Sequence, residues 1–232
     1  MNRPPRDGGP EIFDTMYALI SMPSGRFKTM AAAVLTACAF GLSPLGAQTT
    51  AEKDVLKYTN LARTKPKAFA EILKNRLKYY NGTLLRVPGK IPIRTHEGPK
   101  AVREAIAYLQ KVKPVGPLKY SAIVSKAGRD HVADQSLTGA IGHTGADGSS
   151  SFDRLSRYGK ARTSGENISY GYPDGLSIVI QLIVDDGVPD RSHRDNIFHG
   201  PFTTAGISVG THKTYRNMCV IVYAGGFTPR KK

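Results

Sequence analysis

The order in which helical and extended patterns follow one another constrains the fold of this chain more than any other feature. Apolar residues recur at helical spacing in four segments between residues 49 and 137, and again over residues 176–184. Two runs rich in β-branched residues, 203–210 and 218–224, come last, and the short connection between them predicts an antiparallel hairpin. Because the helices precede the hairpin without βαβ alternation, the pattern predicts an α+β layered domain.

Residues 26–47 have the three parts of a secretory signal peptide. Arg26 and Lys28 supply a positively charged start, residues 30–42 supply an apolar stretch, and Ala47 ends a small-residue cleavage site. The apolar stretch of about 13 residues is too short to span a bilayer comfortably. The segment therefore predicts a secreted or extracytoplasmic protein, in the periplasm or cell envelope.

These features divide the chain into two parts. Residues 1–47 are predicted to be an N-terminal extension with the signal peptide, and residues 48–232 a single domain with no transmembrane segment after cleavage. A second interpretation stays open, because the sequence LTAC ending at Cys38 resembles a bacterial lipobox, and Cys38 would then carry a lipid anchor. The apolar run continues past Cys38, which favours ordinary cleavage. In that case only Cys219 remains, and a packed core rather than a disulfide must stabilise the domain.

The charge balance points to an anionic partner. The chain has 33 Lys and Arg against 18 Asp and Glu, for a formal net charge of +15. Such a charge attracts phospholipid, acidic cell-wall polymer or nucleic acid. The basic residues form no long basic helix and no finger spacing, so specific nucleic-acid binding is not predicted. The expected partners are a small ligand or an anionic envelope or lipid surface.

Four residues are candidates for a functional site. His143 and His193 lie in segments rich in turn residues, Glu166 lies in a glycine-flanked turn within SGENISYG, and Asp185 ends the apolar helix. Two imidazoles and two carboxylates can ligate a divalent cation or transfer protons, provided that the fold gathers them. The chain has no HExxH or CxxC motif, so neither of these short signatures supports an enzyme. His131 lies on a predicted helix and is expected to be structural.

The order of several longer segments resembles a known family. They are NLAR with the following Pro66, then PLKYS, AGRDHVADQ, GHTGADG, SGENISYG and SHRDNIFHGPFTTAGISVG. This series is similar to the bacterial-type CAP domain, also called SCP, of the cysteine-rich secretory, antigen 5 and pathogenesis-related 1 proteins, over about residues 51–227. The resemblance implies a three-layer α-β-α sandwich with a central antiparallel sheet and a cleft. The cysteine pairs of the secreted eukaryotic members are missing here.

The resemblance also implies which residues line the cleft. His143 and His193 match the two histidines of the family, and Glu166 matches the glutamate of its GEN segment. Asp185 falls where the family often has a second glutamate, and the neighbouring Asp186 is an equally reachable candidate. Family members are associated with divalent-metal binding, with sterol or fatty-acid binding in some eukaryotic branches, and with disputed proteolysis.

Three functions remain open at this point. The first is a binding module that holds a divalent cation such as Zn²⁺ weakly through His143 and His193, with Glu166 and Asp185 beside them, or that holds a small apolar or envelope ligand. The alternative is a metal-assisted, peptidase-like hydrolase in which Glu166 or Asp185 acts as general base. The third is a basic envelope protein with a vestigial cleft. The sequence favours binding over catalysis, because it contains no evident activated nucleophile, and no other cofactor is expected.

We expect the exported protein to begin near Gln48, because signal peptidase cleaves after small residues such as Ala47. Intact-mass spectrometry of the protein recovered outside the cytoplasm tests this. A diacylated Cys38 at the N-terminus would establish lipoprotein anchoring instead. Residues 1–47 intact on a cytoplasmic protein would contradict export.

Overall fold

Seven helices and nine strands make up the part of the chain that the structure describes. The structure is a computed structural model that describes residues 48–231, so the predicted signal peptide and Cys38 lie outside the described residues. The helices are α1 (Thr50–Thr64), α2 (Pro66–Leu77), α3 (Pro99–Lys111), α4 (Ala122–Thr138), α5 (Ser151–Ser156), α6 (Gly175–Val184) and α7 (Ser192–Phe198). The strands are β1 (Tyr80–Asn81), β2 (Leu84–Leu85), β3 (Ile93–Arg94), β4 (Lys119–Tyr120), β5 (Gly159–Lys160), β6 (Thr163–Tyr170), β7 (Thr204–His212), β8 (Arg216–Gly225) and β9 (Thr228–Pro229).

The helix boundaries follow from local capping chemistry. Thr49 begins α1 with a capping box, in which its hydroxyl accepts from the Glu52 amide and the Glu52 carboxylate accepts from the Thr49 amide. Pro66 occupies the first turn of α2, where its missing N–H is not needed. The Asp174 side chain caps α6 by accepting from the Ser177 amide at 2.9 Å. None of the described helices is long and apolar enough to cross a membrane.

The central sheet has four strands in the order β4, β7, β8, β6. The predicted hairpin is present as β7 and β8, and β6 pairs antiparallel with the other side of β8. The two-residue β4 joins parallel to β7, so the predicted antiparallel sheet is antiparallel in its three long strands and gains one short parallel neighbour. Strand β6 therefore forms one edge of the central sheet.

Alternate residues of β8 show that helices cover both faces of this sheet. Met218, Val220, Val222 and Ala224 belong to one apolar cluster, which includes residues of α4 and α5. Cys219, Ile221 and Tyr223 belong to a second cluster, formed with α1, α2, α3, α6 and α7. A strand that is apolar on both faces must be covered twice. The expected α+β fold with three layers is confirmed, and Cys219 is buried in the second cluster.

Two expectations for local structure near the candidate site were wrong. Glu166 lies in the middle of the eight-residue strand β6, not in a turn, because the segment pairs along its whole length with β8, from Thr163 opposite Gly225 to Tyr170 opposite Met218. The polar composition of this segment concealed a strand that tertiary pairing stabilises. His193 is the second residue of the short helix α7, not part of a loop.

A buried arginine joins α1 to the chain segments that lead into the sheet. Arg63 is 0% exposed, and its guanidinium donates to the carbonyls of Gly116, Ile197, His199 and Phe202 at 2.6 to 3.2 Å. Burial lowers the pKa of this guanidinium. Since these carbonyls precede β4 and β7, the single side chain of Arg63 fixes where both strands enter the sheet.

We expect Arg63→Met to lower the free energy of unfolding by about 3 kcal/mol or more, because the substitution removes the donors of several buried carbonyls. Urea denaturation of the purified protein measures this value. The matched control is Arg103→Met, since Arg103 is exposed on α3 and its replacement should change the value by less than about 0.5 kcal/mol. Equal effects of the two substitutions would show that the buried contacts of Arg63 do not stabilise the fold.

Candidate functional site

A buried carboxylate on β6 holds the first candidate histidine. The Glu166 side chain is 1% exposed, while the His143 side chain is 53% exposed, and His143 Nδ1 lies 2.9 Å from Glu166 Oε1. Arg154 of α5 donates to both carboxylate oxygens, at 3.0 and 2.9 Å. The same guanidinium donates to the His143 carbonyl at 3.1 Å and to the Ser149 carbonyl at 2.8 Å. Arg154 thus neutralises the buried carboxylate and ties down the loop that carries His143.

Gly142, the residue just before His143, is held by three side chains. The Gly142 carbonyl accepts from His131 Nε2 at 2.8 Å and from Gln135 Nε2 at 2.7 Å, both on α4. The Gly142 amide donates to the Tyr170 hydroxyl at 3.0 Å, and burial raises the pKa of Tyr170 to about 12. Burial also lowers the pKa of His131, which favours the neutral ring. His131 therefore has the structural role that the sequence predicted.

A second carboxylate holds His193 in a similar way. The Asp185 side chain is 0% exposed, and its Oδ1 lies 2.7 Å from His193 Nδ1. Its other oxygen accepts from the backbone amides of His193 at 3.0 Å and Arg194 at 3.4 Å, near the start of α7. Asp185 itself has φ of 55°, a left-handed conformation that Asp tolerates better than most residues. One side chain therefore caps α7 and orients the ring of its second residue.

The neighbouring aspartate points elsewhere. The Asp186 carboxylate accepts from the backbone amides of His96 at 2.6 Å and Glu97 at 2.8 Å. Glu97 in turn binds Arg191, and this hydrogen bond lowers the pKa of Glu97 to about 2. The sequence left two acidic candidates open. Asp185 hydrogen-bonds His193, whereas Asp186 accepts from the loop before α3.

The two histidine pairs are joined through the free edge of β6. Asn167, the residue after Glu166, donates to the His193 carbonyl at 2.9 Å. Asn196 of α7 donates to the Glu166 carbonyl at 3.3 Å and to the Asn167 side chain at 2.9 Å. Gly165 makes this approach possible, because a Cβ atom there would lie 2.9 Å from the Phe202 ring and 3.0 Å from Asn196 Oδ1. Helix α7 therefore lies directly against β6. His143 is hydrogen-bonded to Glu166, and the His193 carbonyl is hydrogen-bonded to the next residue, Asn167.

The two hydrogen bonds fix which ring nitrogen is left for a ligand. A carboxylate can only accept, so Nδ1 of each histidine carries the proton that is donated to Glu166 or Asp185. In a neutral ring Nε2 then has the free lone pair, and within residues 48–231 neither Nε2 has a hydrogen-bond partner. The same described residues contain no group of three or more His, Cys, Asp or Glu side chains arranged to hold a metal ion. The described residues therefore offer two oriented imidazoles, which are not joined by further side chains into a group of three or more metal ligands.

Comparison with known proteins supports the assignment that the segment order suggested. Residues 86–223, more than half of the chain, match the model of the CAP family, described as the cysteine-rich secretory protein family. The chain belongs to this family. No curated protein matches it.

Two solved structures are similar to the chain. An extracellular protein containing an SCP domain, from Bacillus anthracis str. Ames, shares 17% identity with a TM-score of 0.42, over 53% of this chain and 38% of that one. An outer surface protein from Borrelia burgdorferi shares 14% identity with a TM-score of 0.41, over 48% of this chain and 79% of that one. This chain thus spans less than half the length of the Bacillus protein.

The sequence identified the side chains of both pairs but missed those that support them. Arg154 was not predicted, although it follows the capping box formed by Ser150 and Asp153 at the start of a short helix. Asn167 was visible only as the last letter of GEN, and nothing local indicates that it reaches His193. These supporting contacts join residues 12 to 30 positions apart, so sequence periodicity carries no signal for them.

Proposed function

We propose that the cleft of this CAP-family protein binds a divalent cation such as Zn²⁺ through Nε2 of His143 and Nε2 of His193. One observation carries the proposal. Each histidine donates its Nδ1 proton to a buried carboxylate, Glu166 or Asp185, which is how proteins orient metal-binding imidazoles and raise their basicity.

The donor set favours a borderline cation and a weak, open site. Imidazole nitrogen is a preferred ligand of zinc, and a zinc site with fewer than four protein ligands completes its coordination with water or a bound molecule. When bound, the cation would supply open coordination positions for an oxygen of a ligand. The residues present fit such a site in the chemistry of their nitrogen donors, and His193, with a side chain only 20% exposed, is partly shielded from water.

The positions of the acidic side chains favour binding over the alternative of a metal-assisted hydrolase. A general base must reach the proton that it removes. Both oxygens of Glu166 are engaged by Arg154, and both oxygens of Asp185 are engaged by α7, with side-chain exposures of 1% and 0%. We therefore assign Glu166 and Asp185 the role of orienting the imidazoles and not that of a base.

We also propose that the protein acts outside the cytoplasm. The signal-like segment from Arg26 to Ala47 supports this part of the proposal, and Cys38 leaves a lipid-anchored form as the variant to be tested.

Titration calorimetry with Zn²⁺ tests the cation site. We expect His143→Ala and His193→Ala each to abolish measurable binding, because the single protein ligand that remains cannot hold the cation. Asp185→Asn should weaken binding about 10- to 100-fold, because it removes the partner that orients His193. The matched control is Asp186→Asn, which alters an adjacent carboxylate with no contact to either histidine and should leave the affinity unchanged.

Two results would contradict this proposal. Binding that survives in the double histidine variant would place the cation elsewhere on the protein. Equal losses in Asp185→Asn and Asp186→Asn would show that the loop as a whole, and not the carboxylate on His193, determines the affinity.

A further inference from the structure

The small antiparallel sheet β1–β2–β3 between α2 and α3 exposes an aliphatic side chain after the turn that follows β2. Ile91 is 66% exposed, and it directly follows a tight turn in which the Lys90 amide donates to the Val87 carbonyl at 3.0 Å. The turn contains Pro88 followed by Gly89 with φ of 71°, the residue pattern of a type II turn. Because proline fixes one dihedral angle and the hydrogen bond closes the turn, Ile91 is presented to solvent by a defined backbone.

Four cationic residues lie in the same segment as Ile91. Residues 78–94, which we call the basic hairpin, contain Lys78, Arg86, Lys90 and Arg94 and no acidic residue. All four are exposed, and Lys90 pairs with Asp174 at 2.5 Å. The other three form no ion pair with an acidic side chain of residues 48–231. Strand pairing keeps the charges together, because Arg94 lies opposite Leu84 and the Arg86 amide donates to the Tyr79 carbonyl at 2.8 Å.

Three other exposed apolar side chains lie in a segment of opposite charge, and a fourth, Ile123, is only 37% exposed. Leu137, Ile141 and Phe152 are 80%, 49% and 53% exposed, and all three lie within residues 130–153. That segment contains four aspartates and no lysine or arginine. An exposed apolar side chain and unpaired cations thus coincide at the basic hairpin but not in residues 130–153.

We infer that the basic hairpin docks the protein on an anionic phospholipid surface, with Ile91 inserted among the lipids and the cations on the headgroups. Stable binding to a membrane surface takes two signals, commonly an apolar insertion and a basic patch. The basic hairpin supplies both. A soluble polyanion would use the cations alone and would leave Ile91 in water. This inference does not depend on cation binding in the cleft.

Co-sedimentation of the exported protein with lipid vesicles tests the inference. We expect binding to vesicles that contain phosphatidylglycerol and little binding to pure phosphatidylcholine. Ile91→Ser should weaken binding about tenfold. Arg86→Gln combined with Arg94→Gln should weaken it about 25-fold, at about fivefold per cation. The matched controls are Leu137→Ser and the pair Lys160→Gln with Lys213→Gln, all at exposed positions outside the hairpin, and they should bind like the wild type.

A second measurement remains informative if Cys38 carries a lipid. A polarity-sensitive fluorophore placed on Ile91→Cys should shift its emission to shorter wavelength with phosphatidylglycerol vesicles, whereas the same label on Leu137→Cys should not. Cys219 is buried and should not take the label. Equal responses at the two positions would overturn the inference, as would wild-type affinity of Ile91→Ser. If only the charge variants lose vesicle binding, Ile91 does not insert among the lipids and the proposed docking mode is wrong.

Discussion

The carboxylate of Glu166 is buried on the edge strand of the central sheet, where an unpaired charge would cost several kcal/mol. Arg154 removes most of that cost by donating to both oxygens, and the geometry of this pair determines much of what surrounds it. Helix α5 must lie where its arginine reaches β6, and the loop before α5 must lie where its carbonyls accept from the same guanidinium. His143 then hydrogen-bonds Oε1 of the same carboxylate. The ion pair between Arg154 and the buried Glu166 thus positions α5, the loop before it and His143.

The second histidine is positioned by a different solution to a similar problem. The buried Asp185 carboxylate has no arginine on its oxygens, and it is satisfied by the amides at the start of α7 together with the His193 ring. Backbone amides at a helix N-terminus stabilise a negative charge well, so a fully buried aspartate is tolerated there. Asn196 of α7 donates to the Glu166 carbonyl, so α7 lies against the same edge of β6 that carries Glu166. Each imidazole is thus held by a buried carboxylate, one on β6 and one just after α6.

Much of this arrangement could be predicted from the sequence, and the remainder shares a physical cause. Capping residues such as Thr49 and Asp174 and the continuous apolar run of β8 are local signals, so the helices and the β7–β8 hairpin were predictable. The four candidates came from residue type and from a resemblance of segment order, and the fold brings them into the pairs His143–Glu166 and His193–Asp185. Strand β6 was missed because its residues are polar and its stability comes from pairing with β8. The choice between Asp185 and Asp186 required the left-handed backbone at residue 185, which no pattern of residue types encodes.

The proposed cation binding requires that Nδ1 of His143 and Nδ1 of His193 carry the ring protons. Both Nε2 atoms are then available to the cation. Long-range ¹H–¹⁵N correlation spectra of the labelled protein, recorded slightly above neutral pH and then with Zn²⁺, measure this directly. The account predicts that the neutral rings of His143 and His193 carry the proton on Nδ1 and that Zn²⁺ moves the ¹⁵N resonances of their Nε2 atoms. Protonation of both rings on Nε2, or Nε2 resonances that do not move with Zn²⁺, would contradict it.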